Sequence, residues 1–149
     1  MNRIIGDSSV GLFSIEFQVA SNEDVIKASL KLLAKDKVRR LTIRGLVDSG
    51  AARLVLPKSV VKQLGLPLAG KVKVRYADGR TRTRDLVQGV LVEIQGRRDT
   101  FSAIVEPTRK EALIGAIVLE DLDFLVDCQN QRLVPSDPRY IVSPIEALG

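Results

Sequence analysis

Short stretches of alternating apolar and polar residues run through this sequence, and glycines break the alternation at close intervals. Phe13, Ile15, Phe17 and Val19 alternate with Ser14, Glu16 and Gln18, and Val72, Val74 and Tyr76 alternate with Lys71, Lys73 and Arg75. A period of two places one set of side chains on one face of an extended strand and the other set on the opposite face. Further extended segments are expected over Val38 to Val47, Val87 to Ile94, Thr100 to Val105, Ala112 to Ile114, Phe124 to Val126 and Arg132 to Val134. Asp78-Gly79 and Gly96 mark tight turns between such segments. The strands are short, closely spaced and joined by glycine turns, which predicts a mainly β barrel or sandwich.

Helical signals are few. Ser21 is placed to cap a helix with Glu23 and Asp24 in its first turn, and Ile26, Leu30 and Leu33 recur at helical spacing opposite Lys27, Lys31 and Lys35. That spacing predicts an amphipathic insertion with its leucines inward. Pro57 at the start and Gly65 past the end predict a second helix over Pro57 to Leu64, with Val60, Val61 and Leu64 inward. A third runs up to Leu122. The expectation is therefore two or three short helices on a β scaffold.

Size and composition narrow the chemistry. The chain has 149 residues, 45% of them hydrophobic, which suits one core. A single domain over 1–149 is expected, with motifs in 38–135, a strand and helical insertion in 10–37 and a tail in 136–149. No run approaches the roughly 20 apolar residues of a membrane span, and Met1 to Val10 lacks a basic region followed by a hydrophobic stretch. A soluble, cytoplasmic protein is expected. With one cysteine and no histidine, an internal disulfide, the usual zinc sites and every His-dependent triad are excluded. Carboxylate, lysine, hydroxyl or lone-thiol chemistry is left, and neither a metal nor an organic cofactor is expected.

Charge is segregated along the chain. Lys35 to Arg53 carries six basic and two acidic side chains, whereas Glu111 to Asp127 carries five acids and no base. The net charge of +5 permits an anionic partner, but with two Tyr, four Phe and no Trp the stacking groups of single-strand nucleic-acid binders are scarce. Nucleic acid is not the expected partner. Arg80, Arg82 and Arg84 are read as one solvent-facing row, Glu120, Asp121 and Asp123 as the solvated face and ends of a helix, and Cys128 as a half-buried structural thiol.

The segment Leu46-Val47-Asp48-Ser49-Gly50-Ala51 sets an acid immediately after an apolar strand and before very small residues. Such an acid sits on rigid backbone, Ser49 can bond to nearby main chain, and Gly50 admits close approach. Asp-Ser-Gly alone is also an ordinary β-turn. Together with the later turn at Asp78-Gly79, the run Leu113-Ile114-Gly115 and the short helix after it, the order of motifs from about Val38 to Pro135 resembles the retropepsin-like aspartic proteases, above all their small bacterial members. The resemblance implies that Asp48 is catalytic, that Ser49, Gly50 and Ala51 complete the active-site loop, and that Ser49 ties the two loops of the enzyme together. It implies that Tyr76, Ala77, Asp78 and Gly79 form a flap over substrate, and that Leu113, Ile114 and Gly115 support the loop from behind.

Aspartic proteolysis needs two carboxylates about 3 Å apart sharing one proton. Only one Asp-Ser-Gly is present, so the second acid must come from another copy of the chain, and a twofold homodimer acting on a peptide or protein substrate is expected. Two departures from the family pattern stand out. Ala52-Arg53 replaces the further acid that viral members carry, and Gly79 is alone in the flap, which stiffens the tip and suggests slow or narrowly specific cleavage. By analogy the chain ends, including Tyr140 to Ile145, contribute to the dimer contact. Two other readings compete. Leu56 to Leu66 followed by Gly70 to Val74 also resembles swapped-hairpin DNA-binding domains of AbrB type, which would bind duplex in a salt-sensitive way. The same fold could also serve as a non-catalytic dimerisation or peptide-binding module.

Overall fold

A computed structural model describes residues 12–140. The strands are β1 (Phe13–Ser21), β2 (Arg40–Val47), β3 (Leu54–Pro57), β4 (Leu68–Arg75), β5 (Thr81–Ile94), β6 (Arg97–Glu106), β7 (Ala112–Ile114), β8 (Phe124–Asp127) and β9 (Arg132–Pro135). Three short helices, α1 (Asn22–Ser29), α2 (Lys58–Leu64) and α3 (Ala116–Asp121), and a 3-10 turn over Lys35–Lys37 complete the described chain. The strands order as β1-β2-β7-β3-β6-β5, and β5 pairs back onto β1 from Gln18↔Glu93 to Ser21↔Val90, closing a six-stranded barrel. This is the mainly β architecture that the alternation predicts. Among the described residues no helix is long and apolar enough to cross a membrane.

The barrel is filled by side chains that the period-two pattern aims inward. Phe17, Val19, Val47, Leu54, Leu56, Val90, Val92 and Ile114 are buried in one continuous cluster that also takes in Leu64 from α2, Val118 from α3 and Leu122 just after it. At about 25 cal/mol per Å² this apolar burial is the main force holding the barrel together. Closure leaves β2, β7, β3 and β6 without free edges.

β4 and the first half of β5 leave the barrel as a two-stranded arm, registered from Lys71↔Asp85 to Arg75↔Thr81. Leu86 and Val87 pair on both sides, with β4 and with β6, so they are the root of the arm. Beyond them β5 bulges between Val87 and Val90 and continues in the barrel wall to a two-residue turn at Gln95-Gly96.

The first helix departs from its sequence reading. Ser21 caps it as expected, its Oγ accepting from the Asp24 amide at 3.2 Å. The buried residue of the helix, however, is Asp24, while Ile26 is 50% and Leu30 63% exposed. The reason is an ion pair. Arg39, entering β2, donates to the Asp24 carboxylate through its main-chain amide (3.0 Å), Nε (2.7 Å) and a terminal nitrogen (3.0 Å). That three-point contact rotates the acidic face inward, and the helix ends at Ser29 before its leucines reach the core.

The second helix is close to expectation. Pro57 sits at its N-cap, Val60 and Leu64 are buried, Val61 is half-buried, and Gly65 closes it with φ +63°. β4 then pairs with β5 of the same chain.

Candidate active site

Asp48 stands at the point where β2 leaves the barrel. β7 runs parallel to β2 (Leu46↔Leu113, Val47↔Ile114) and antiparallel to β3 (Val55↔Leu113), so it lies between the strands that enter and leave the Asp48 loop. The amide of Asp48 donates to the Ile114 carbonyl at 3.0 Å, extending the parallel ladder into the loop. Asp48 Oδ1 accepts from the Gly50 amide at 3.0 Å and its carbonyl accepts from the Ala51 amide at 3.1 Å, which folds Asp48-Ser49-Gly50-Ala51 into a tight turn. Asp48 is half-buried, and Ser49 and Gly50 are exposed.

The loop is held from behind by α3. The first amides of a helix have no partner within it. Here Ala116 donates to the Ala51 carbonyl at 2.7 Å and Ile117 to the Ala52 carbonyl at 3.0 Å. The helix thus spends its unpaired donors on the acid-bearing loop. Gly115 is buried where the chains touch: a Cβ there would lie 2.8 Å from both Ala52 C and Arg53 N and would overlap the Arg53 carbonyl oxygen. Ile114 and Gly115 therefore meet the Asp48 loop directly, and Leu113 pairs with Leu46 and Val55 on the strands either side of it.

Register reveals a surface that sequence alone did not. Leu46, Leu113, Val55, Ile104 and Leu86 are successive cross-strand partners on five neighbouring strands, and all five are only partly buried. Their chain neighbours Val47, Ile114, Leu54, Ala103 and Val87 point into the core. An apolar row therefore crosses the outside of the barrel, and the alternation of β2 places Asp48 on the same face as Leu46. Such a row cannot be found without knowing which strands are neighbours.

The arm ends in the segment expected to be a flap. Tyr76 accepts from Gly79 N (2.9 Å) and donates its own amide to the Arg80 carbonyl (2.9 Å), and Gly79 takes φ +85°, a conformation that costs glycine little. Asp78 binds the Arg80 amide (2.9 Å) and Nε (2.7 Å), which hold its carboxyl below the ordinary range. Ala77, Asp78 and Gly79 are exposed, whereas Tyr76 is partly buried.

Arg84 corrects the reading of a solvent-facing arginine row. Its side chain is only 24% exposed, and Nε donates to Glu106 Oε1 (2.8 Å) and to the Tyr76 hydroxyl (3.0 Å). The Tyr76 hydroxyl in turn donates to Glu106 Oε2. Burial and then this bond push the Tyr76 phenol above its ordinary pKa. Arg80 and Arg82 remain exposed.

Two further expectations change. Cys128 is exposed in the turn after β8, where Asp127 is occupied by Asn130 and Arg132. Of the three acids near α3, Glu120 is exposed, but Asp123 accepts from the Asp137 amide (3.1 Å), and Asp121 is partly buried against Asp99. The shared contact with Asp99, followed by desolvation, pushes the Asp121 carboxyl up to about 6. Of the expected tail contact, Tyr140 stacks on Arg97, with the guanidinium 4.4 Å from its ring centre, and 141–145 lie outside the described residues.

Comparison with known proteins adds a family to this geometry. Solved structures with similarity include a retropepsin-like aspartic protease from Rickettsia conorii, at 17% identity over 78% of this chain and 86% of that one with a TM-score of 0.45. The EIAV protease in complex with the inhibitor HBY-793 is 20% identical over 54% of this chain and 77% of that one, with a TM-score of 0.45. The simian foamy virus (mac) protease is 17% identical over 52% of this chain and 80% of that one, with a TM-score of 0.41. No curated protein sequence matches. The sequence pattern of the family described as Aspartyl protease matches residues 35–127, a span that begins before β2, carries Asp48, its supporting strand β7 and the arm, and ends with β8, so the chain belongs to the aspartyl protease family.

Proposed function

We propose that the chain is an aspartic endopeptidase whose active centre is completed by a second copy of itself, Asp48 facing Asp48 across a twofold axis. The observation that carries this reading is the Asp48 turn itself: an acid fixed through its own amide to β7, in a loop whose Ala51 and Ala52 carbonyls are held by α3, in a sequence with a single Asp-Ser-Gly. One carboxylate takes a proton from a water as that water attacks the scissile carbonyl. The other, protonated, donates to the carbonyl oxygen; as the tetrahedral intermediate collapses, the acid that took the water's proton gives it to the leaving amine, and the second carboxylate recovers its proton from the gem-diol hydroxyl. Two carboxylates at such a distance cannot both ionise, so the pair titrates as a unit.

Under this reading the peptide lies along the outer row of Leu46, Leu113, Val55, Ile104 and Leu86, which suits apolar side chains beside the scissile bond. The hairpin tip at Tyr76, Ala77, Asp78 and Gly79 closes over it, and Ser49 joins the two loops. The setting is the cytoplasm, a reading supported by the exposed free thiol of Cys128.

The test is cleavage of a peptide library by the wild-type protein and by Asp48→Asn, with sedimentation of both. Loss of about 10²-fold or more in turnover, with the dimer intact, is the expected result for removal of a general acid–base group. Equal cleavage by both proteins removes Asp48 from the chemistry, and a strictly monomeric active species removes the shared dyad.

A further inference from the structure

Tyr76, Arg84 and Glu106 form a closed three-way contact that neither the chemistry of Asp48 nor the packing of the core accounts for. Each side chain touches the other two. Arg84 Nε serves both Glu106 Oε1 (2.8 Å) and the Tyr76 hydroxyl (3.0 Å), the hydroxyl serves Glu106 Oε2, and the Arg84 guanidinium carbon lies 5.8 Å from the Tyr76 ring centre. The contact is sheltered, with Glu106 13% and Arg84 24% exposed. The two arm residues come from opposite strands of the hairpin, Tyr76 just after β4 and Arg84 within β5, and Glu106 is the last residue of β6 in the barrel wall.

Position gives the contact its meaning. Leu86 pairs with Ile104 at the root of the arm. Arg84 and Glu106 lie one pleat beyond that pair, on the same face, so the contact continues the apolar row that begins beside Asp48. The main-chain ladder between β5 and β6 runs from Ile94↔Arg97 to Leu86↔Ile104, and past Leu86 the arm has only β4 as its ladder partner. A two-stranded hairpin without a third strand is mobile in water. Side chains therefore have to hold it: Arg84 and Glu106 meet near its base, and Tyr76 reaches them from the tip.

We propose that Tyr76, Arg84 and Glu106 are positioning residues that clasp the arm to the barrel rim and steady the exposed turn Ala77-Asp78-Gly79 that it carries. Glu106 is the anchor, because it alone belongs to the barrel, and Arg84 neutralises it so that a sheltered carboxylate is not left unpaired. The arm is thereby pre-set over the row instead of being ordered by each substrate, which lowers the ordering cost of binding. The kinetic consequence rests on reading the hairpin as the flap of an Asp48 enzyme; the clasp itself does not.

The experiment uses the full chain with Tyr76→Phe, Glu106→Gln and the double variant, changes that remove the hydroxyl or the charge without leaving a buried charge alone on Glu106. Hydrogen exchange is followed at the Tyr76 and Gly79 amides, which bond within the tip, and at Val90 and Val92 in the barrel wall. Loss of a charge-assisted bond is expected to speed exchange at the two tip amides about tenfold in each single variant, with barrel amides unchanged and the double variant no faster than the faster single. Unchanged tip exchange, acceleration equal to that of Val90 and Val92, or effects that multiply in the double variant would each overturn the clasp. In the kinetic arm, KM for a cleaved peptide is expected to rise several-fold with kcat nearly constant, and an unchanged KM overturns the positioning role. If the wild-type protein cleaves nothing, the enzyme reading fails and the exchange result alone decides the clasp.

Discussion

The Asp48 amide and the Ile114 carbonyl meet at 3.0 Å, so the acid is located by its own backbone at the end of the β2–β7 ladder. The strand that supplies that carbonyl is followed at once by Gly115, where the Asp48 loop and the start of α3 come into direct contact.

Gly115→Ala tests how tightly this contact is set. The added carbon would lie 2.8 Å from both bonded atoms of the Ala52–Arg53 peptide link, and neither the loop nor the helix can yield without losing the Ala51 and Ala52 bonds. A destabilisation of about 2–3 kcal/mol is expected from overpacking against main chain. Urea unfolding of both proteins measures it, and an unchanged midpoint would show that the loop is free to shift.

Asp24 sets the acid side of the stability profile. Its bonds to Arg39 hold the carboxyl at about 2, below its unfolded value of 3.8. The ion pair therefore contributes fully above about pH 4, and its contribution is lost as pH falls towards 2. With Arg39 half exposed to solvent, Asp24→Asn is expected to cost about 1–2 kcal/mol at pH 7. The two proteins should converge in unfolding free energy near pH 2.

Asp121 acts with the opposite sign. Contact with Asp99 and desolvation raise its carboxyl from 3.8 to about 6, and its buried Oδ2 has no hydrogen-bond donor among the described residues. The folded state therefore favours the protonated acid. The contribution is fully present below about pH 4, is lost between 4 and 6, and stays lost above. Asp121→Asn is expected to stabilise the protein by about 1–2 kcal/mol above pH 6 and to leave it unchanged at pH 4. Thermal unfolding at the two pH values checks the difference.

Arg97 is 5% exposed and donates to the carbonyls of Leu122 (3.0 Å), Asp123 (3.0 Å) and Asp137 while lying between the rings of Phe124 and Tyr140. Arg97→Met keeps much of the apolar stem but orphans those carbonyls and the nearby Asp123 carboxylate. A loss of about 3 kcal/mol is expected, with faster hydrogen exchange at the Ser136 and Asp137 amides.

The sequence made the strands legible because alternation is a local property. Phe13 to Val19, Val72 to Tyr76 and the turns at Gly79 and Gly96 could be placed from their own neighbours. The closeness of Ile114 and Gly115 to the Asp48 turn was legible only through the resemblance in motif order, not from the residues themselves. What escaped depends on distant partners. Nothing near Asp24 indicated that Arg39 would turn it inward at the expense of Ile26 and Leu30, and nothing near Arg84 indicated that Glu106 would be waiting on another strand. Cys128 was misjudged because a thiol's ordinary preference for burial says little about a turn of four residues between two strands.

The place of β7 also governs when this protein can come into being. Three residues, Ala112–Ile114, fill the gap between β2 and β3, and they are made long after both. A nascent chain still lacking them has two open edges and no support behind Asp48, so the barrel cannot close piece by piece as it leaves the ribosome. A message cut short before that tripeptide would yield an aggregation-prone fragment instead of a smaller working protein.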